Sequence, residues 1–196
     1  MERIRREFNT LTIVMVPVAI AINIAVGQLV LVLKLPVYLD SIGTVLVGVL
    51  AGPWAGAVTG FLSSVIWTIS GLYPPAIAFG GVAVIIGALA GAFGKVGWPR
   101  VWWKAILAGL LTGLTAALLS APIAAYVFGG VMGSGTDVLV AMFRSFGASV
   151  LPANFLQGAV SDPVDKVVTY LIIWAILQAL PIRFKGRFSN LGPSQG

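Results

Sequence analysis

The chain of 196 residues has no cysteine and no histidine, and only 9% of its residues are charged. The first two absences exclude structural disulfides, Cys/His zinc sites, His-ligated haem, thiolate nucleophiles and imidazole general bases. The third excludes a water-facing surface, because a soluble domain carries about 25% charged residues. No phosphate-gripping Gly-x-x-x-x-Gly-Lys-Ser/Thr loop occurs either: Gly94-Lys95 is followed by Val96, so the chain is not expected to hydrolyse ATP. What is present is 59% hydrophobic residues, 24 Gly, 11 Pro, a mean hydropathy of +1.02 and a net charge of +6. The apolar stretches are long and unbroken rather than alternating, which predicts an all-α integral membrane bundle in place of an outer-membrane barrel.

Charge sets the expected topology. Arg3, Arg5 and Arg6 precede the first apolar run, Lys95, Arg100 and Lys104 punctuate the middle, and Arg183, Lys185 and Arg187 follow the last. Nine of the twelve basic residues thus form three clusters, all assigned to the cytoplasm by the positive-inside rule, so an even number of crossings must separate each pair. Leu11 to Leu33, Leu39 to Ser70 and Ala76 to Phe93 would make three crossings. Dividing the second block at Gly52-Pro53, a helix-ending pair, makes four. Val101 to about Tyr126 is the fifth span. Asp162-Pro163 reads as an N-cap with Pro at the first helical position of a sixth, Val164 to Leu180.

Six helices with both termini cytoplasmic follow, in one domain over residues 1–188 with a disordered tail over 189–196. Phe128 to Ser161 is expected as an outer loop bearing one or two short interfacial helices; a span over Val138 to Val160 would break the parity. The basic start resembles a signal peptide, but the apolar run continues to Leu33 and is long enough to cross.

Small residues recur every fourth position: Ala105, Gly109, Gly113, Ala117 and Ala121 in the fifth span, Gly52, Gly56 and Gly60 in the third, Ala83, Gly87 and Gly91 in the fourth. Such stripes let helices approach closely in lipid, and tight internal packing is their first reading. Ala21-x-x-x-Ala25 in the first span fits either internal packing or a docking face for another membrane subunit.

Ionisable groups near a bilayer are costly and mark function. Beyond the nine clustered basics and Glu2 and Glu7 remain Lys34, Asp40, Asp137, Arg144, Asp162, Asp165 and Lys166, all on the outer half of the expected topology. Each alone fits an interfacial anchor; together with Tyr38, Trp67, Tyr73, Phe79 and Tyr126 they suit an outward-opening pocket for a flat heteroaromatic ligand. Those rings also fit an aromatic belt. Asn154 and Gln157 add neutral amides from the outer loop, and Asn23 lies inside the first span. No carboxylate pair has a spacing that fixes a catalytic dyad, so no enzymatic activity, metal or cofactor is expected. A structural subunit of a membrane complex and a lipid-modifying membrane enzyme are the competing classes.

The segments Leu39-Asp40-Ser41-Ile42-Gly43-Thr44 and Leu50-Ala51-Gly52-Pro53-Trp54-Ala55-Gly56-Ala57-Val58-Thr59-Gly60-Phe61 resemble the second and third helices of substrate-binding S components of energy-coupling factor (ECF) vitamin transporters. Pro152-Ala153-Asn154-Phe155-Leu156-Gln157-Gly158 is similar to a stretch of the riboflavin-type members, with Gln157 where Lys is usual. Asp165-Lys166 and Leu180-Pro181 have the same look. The resemblance implies six helices in a prokaryotic plasma membrane. It also implies a vitamin, riboflavin first, bound near the outer face under the loop between helices one and two. Docking through Ala21 and Ala25 onto a transmembrane coupling subunit with two ATPases follows from it too. The substrate-binding candidates are Lys34, Tyr38, Asp40, Trp67, Tyr73, Phe79, Tyr126, Arg144, Asn154, Gln157, Asp165 and Lys166.

Overall fold

The computed structural model describes residues 4, 7–181, 185–188 and 190. Arg3, Arg5, Arg6 and Arg183, together with nearly all of the expected disordered tail, lie outside these residues. Among the described residues the protein is all-helical: α1 (Thr10–Val32), α2 (Ile42–Ala51), α3 (Pro53–Ile69), α4 (Gly80–Lys95), α5 (Trp102–Phe128), α6 (Asp137–Ser145) and α7 (Val150–Ala179), with 3-10 turns at Pro74–Phe79 and Trp98–Arg100. Three helical stretches are long and apolar enough to cross a membrane: Thr10–Val32, Pro74–Lys95 and Trp102–Phe128. Their outward faces are apolar as well, with Val14, Val18 and Leu29 on α1 and Leu107, Leu111, Leu114 and Leu118 on α5 exposed. Water would penalise such a surface and lipid does not, so this is a membrane protein.

The small-residue stripes explain which helices touch. Gly52, at the junction of α2 and α3, and Gly56 and Gly60 of α3 lie against Ala83, Gly87 and Gly91 of α4; a Cβ on Gly60 would stand 2.8 Å from the Ala83 carbonyl carbon. On α5, a Cβ at Gly109 would come 2.6 Å from the Val167 Cα of α7, and one at Gly113 would come 2.6 Å from the Asp162 carbonyl oxygen. These backbones approach closer than any side chain allows, the packing that substitutes for hydrophobic drive in lipid.

At ten residues, α2 is about 15 Å long, half a bilayer core. It begins deep inside, where the Asn23 Oδ1 of α1 accepts the Gly43 N–H at 2.7 Å and the Thr44 N–H at 3.4 Å. Asn23 Nδ2 donates to Thr44 Oγ1 at 2.8 Å and Ser63 Oγ at 2.9 Å. A fully buried side chain of α1 thus satisfies two of the orphan donors at the start of α2 and ties both helices to α3. Glu7 does the same for α3, accepting the Trp54 and Ala55 N–H groups at 2.8 and 3.2 Å, and pairs with Lys95 at 3.3 Å.

Contacts sort the helix ends into two groups. Glu7, Lys95, Arg100, Gln178 and Asn190 meet at one end, where Arg100 donates to the Asn190 carbonyl and Asn190 donates to carbonyls of Gly48, Val49 and Gly91. At the other end the loop over residues 33–41 meets the 129–136 segment, through Tyr38 Oη and Thr136 Oγ1 at 3.0 Å and through Lys34 Nζ on the Gly133 carbonyl.

Two expectations are corrected. The last helix begins at Val150, twelve residues before Asp162, so Asp162-Pro163 lies inside α7 and is not its start. Pro163 lies inside α7, as Pro17 lies inside α1 and Pro122 inside α5, with its backbone packed against Gly113 of α5. Asn154 and Gln157 accordingly belong to α7, not to an outer loop; of the expected interfacial helices, α6 is present.

Candidate functional site

The long α7 turns one polar face inward. Asn154, Gln157, Ser161, Asp162, Asp165, Lys166 and Thr169 are all buried, and their spacing of three or four residues places them along one side. Burying charge costs several kcal/mol per ion unless it is paired and hydrogen-bonded. Asp165, wholly buried, accepts the Tyr38 N–H at 3.2 Å and the Leu39 N–H at 2.6 Å through Oδ1, while Oδ2 receives Lys166 Nζ. Lys166 also donates to Ser41 Oγ at 2.8 Å and stands 3.8 Å from Asp40 Oδ1. One buried ion pair therefore latches the 33–41 loop onto α7. It holds Leu39 in a left-handed conformation, φ 50°, which costs a residue with a Cβ about 1–2 kcal/mol.

Beneath that loop lies a cavity enclosing about 910 Å³ of space free of protein atoms, its mouth included. Trp67, Tyr73, Phe79, Val82 and Ile86 of the α3–α4 side form an aromatic and aliphatic wall, with the Trp67 and Tyr73 rings 5.7 Å apart. Gln157, Asp162 and Lys166 of α7 form the opposite wall, and Tyr38, Asp40 and Ser41 come from the loop. A smaller cavity of about 340 Å³ lies behind Tyr38, Asp40, Trp67 and Tyr73, between the loop and α1. Desolvation raises the Tyr38 phenol above the ordinary tyrosine range, the Asp162 carboxylate adding to the shift, and burial with Asp137 and Asp40 pushes Tyr73 up to about 12. Both rings are neutral at physiological pH. Tyr38 Oη accepts from Gln157 Nε2 at 3.3 Å, and Tyr73 Oη donates to the Met132 carbonyl at 3.4 Å.

Of the residues singled out in the sequence, Tyr38, Asp40, Trp67, Tyr73, Phe79, Gln157 and Lys166 share this wall. Asp165 stands behind it as the latch. The others do not line it. Lys34 binds the Gly133 carbonyl at the surface, Tyr126 is 76% exposed on α5, and Arg144 is exposed on α6. Asn154 is buried, donating to the Val150 carbonyl at 2.8 Å. Ala21 and Ala25 lie exposed on α1, in line with Val14, Val18, Leu29 and Val32. Ser63, Ser64 and Ser120 were not foreseen as lining groups, and Asp162, counted among the outer ionisable groups, was not singled out as a binding residue. The spacing Gly60, Ser63/Ser64, Trp67 was the available signal, since it sets small, polar and aromatic residues on one helical face.

Among the described residues no group of three or more acidic side chains stands close enough to hold a metal ion. The cavity sets aromatic and aliphatic side chains on one side against oriented polar groups on the other. Compared with protein-family models, curated proteins and solved structures, the chain matches none of them.

Proposed function

We propose that this protein is the solute-capturing membrane subunit of an ATP-driven importer of the ECF type, crossing a prokaryotic plasma membrane six times with both termini in the cytoplasm. The observation that carries the reading is the cavity itself. It is walled by aromatic rings on one side and the polar face of α7 on the other, and covered by a loop latched to Asp165. It lies at the end of the bundle opposite Lys95 and Arg100, which the positive-inside rule assigns to the cytoplasm. A cavity so oriented receives solute from outside.

Six crossings follow if α2 with its preceding loop, the 17-residue α3 and the charged α7 each cross, alongside the three long apolar stretches. The charges of α7 are compatible with a spanning helix because they face inward, where Asp165 and Lys166 pair. The chain performs no chemistry in this reading. Energy comes from partner ATPases through a coupling subunit that docks on the exposed Ala21–Ala25 face of α1, where short side chains permit close helix approach. The solute is a flat heteroaromatic vitamin-like molecule, and riboflavin is the member to which the sequence resemblance points.

The test is detergent purification followed by mass spectrometry of released small molecules and thermal shifts with a vitamin panel. A retained or stabilising solute supports the reading. A preparation that releases none and is stabilised by none favours a structural subunit, and turnover of lipid would favour an enzyme.

A further inference from the structure

The charges around the cavity do not balance. Asp40, Asp162 and Asp165 face one ammonium, that of Lys166, and Lys166 is engaged by Asp165 and Ser41. Asp165 is further occupied by two loop N–H groups. That leaves Asp40, 3.8 Å from Lys166, and Asp162, which lines the cavity, is 5% exposed, and receives a long contact from Ser120 Oγ at 3.5 Å. Among the described residues lining the cavity, Lys166 is the only positive group.

Resting on the receptor reading above, we propose that the solute is a cation: a compact heteroaromatic molecule with a protonated or quaternary nitrogen. Its ring packs among Trp67, Tyr73 and Phe79, and its charged nitrogen faces Asp162 and Asp40. The nearest counter-charge to buried Asp162 is Lys166, which Asp165 and Asp40 already share, and a neutral solute would leave that shortfall in place. A cationic one supplies both a charge-assisted hydrogen bond to the carboxylate and attraction to the ring faces. Among the described residues no three acidic groups come together to hold a bare metal ion. Riboflavin is uncharged and falls outside this class.

The experiment uses the full chain in detergent and two probe pairs that differ in charge, tryptamine against tryptophol and 1-methylnicotinamide against nicotinamide, beside mass spectrometry of the released solute. The expected result is a cationic released solute and a preference of about tenfold or more for the charged member of at least one pair. Asp162→Asn, and separately Asp40→Asn, should shrink that preference while the ligand-free melting temperature shows the variant folded. A neutral or anionic released solute, or equal binding of both members by the parent protein, overturns the inference and leaves the receptor reading standing. No released solute and no response to any probe or vitamin overturns the receptor reading and this inference with it.

Discussion

Replacing Asp165 by Asn perturbs the latch at its centre. The amide retains an oxygen for the Tyr38 and Leu39 N–H groups, but its other end becomes a donor facing the Lys166 ammonium, with which the carboxylate is paired in the parent. Lys166 is then left 97% buried with Ser41 at 2.8 Å and Asp40 at 3.8 Å as its remaining partners. Breaking a buried ion pair from one side costs about 3–5 kcal/mol. At roughly 2–4 °C per kcal/mol for a chain of this size, the melting temperature falls by about 6–20 °C. Removing the second charge as well, in Asp165→Asn with Lys166→Met, eliminates the stranded ammonium, so the double variant should melt above the single one. The loop gives an independent readout. The chain is free of cysteine, so Val37→Cys introduces one thiol on the half-buried loop, and maleimide labelling there should accelerate when Asp165 is replaced. Melting of Asp165→Asn within about 2 °C of the parent, or a double variant that loses the sum of the two single losses, would refute the latch.

Asn23→Leu should leave the Gly43 N–H without its partner inside the bundle, costing about 1–3 kcal/mol per stranded donor, visible in thermal melts. Gly87→Val drives a side chain into the backbone of α3 at Gly56 and should destabilise by about 1–3 kcal/mol or abolish folded yield in size-exclusion chromatography. Ala21→Trp, on an exposed face, should abolish solute uptake in reconstituted vesicles while leaving solute binding in detergent unchanged; unimpaired uptake would remove the docking face. Tyr73→Phe should leave stability within about 0.5–1.5 kcal/mol of the parent, since one 3.4 Å hydrogen bond is lost and the ring pair with Trp67 is kept.

Much of the architecture was legible because it depends on local composition. Unbroken apolar runs set helices, Gly52-Pro53 set the break between α2 and α3, and the Gly/Ala stripes named the touching faces before the partners were known. The error at Asp162-Pro163 has a physical cause. The pair is a strong helix-start signal in water, but α7 runs through it, as α1 and α5 run through Pro17 and Pro122, an interior proline being tolerated in helices packed within a membrane bundle. With the start misplaced, the three-to-four spacing from Asn154 to Lys166 went unread as one polar face.

Composition by itself determined that this chain lives in lipid as helices, since 9% charge leaves too few polar side chains to face water. Pattern likewise determined which residues were too costly to be ornamental, because a charge in an apolar segment must find a partner or a purpose. The tertiary structure decided how those charges divide. Asp165 and Lys166, adjacent in sequence, close on each other and on a loop more than 120 residues away, while Asp162, one turn earlier, looks into the cavity with little to answer it. Partner choice in a bundle is set by the depth and rotation at which helices cross, and those are properties of backbone contacts between distant segments rather than of any one segment.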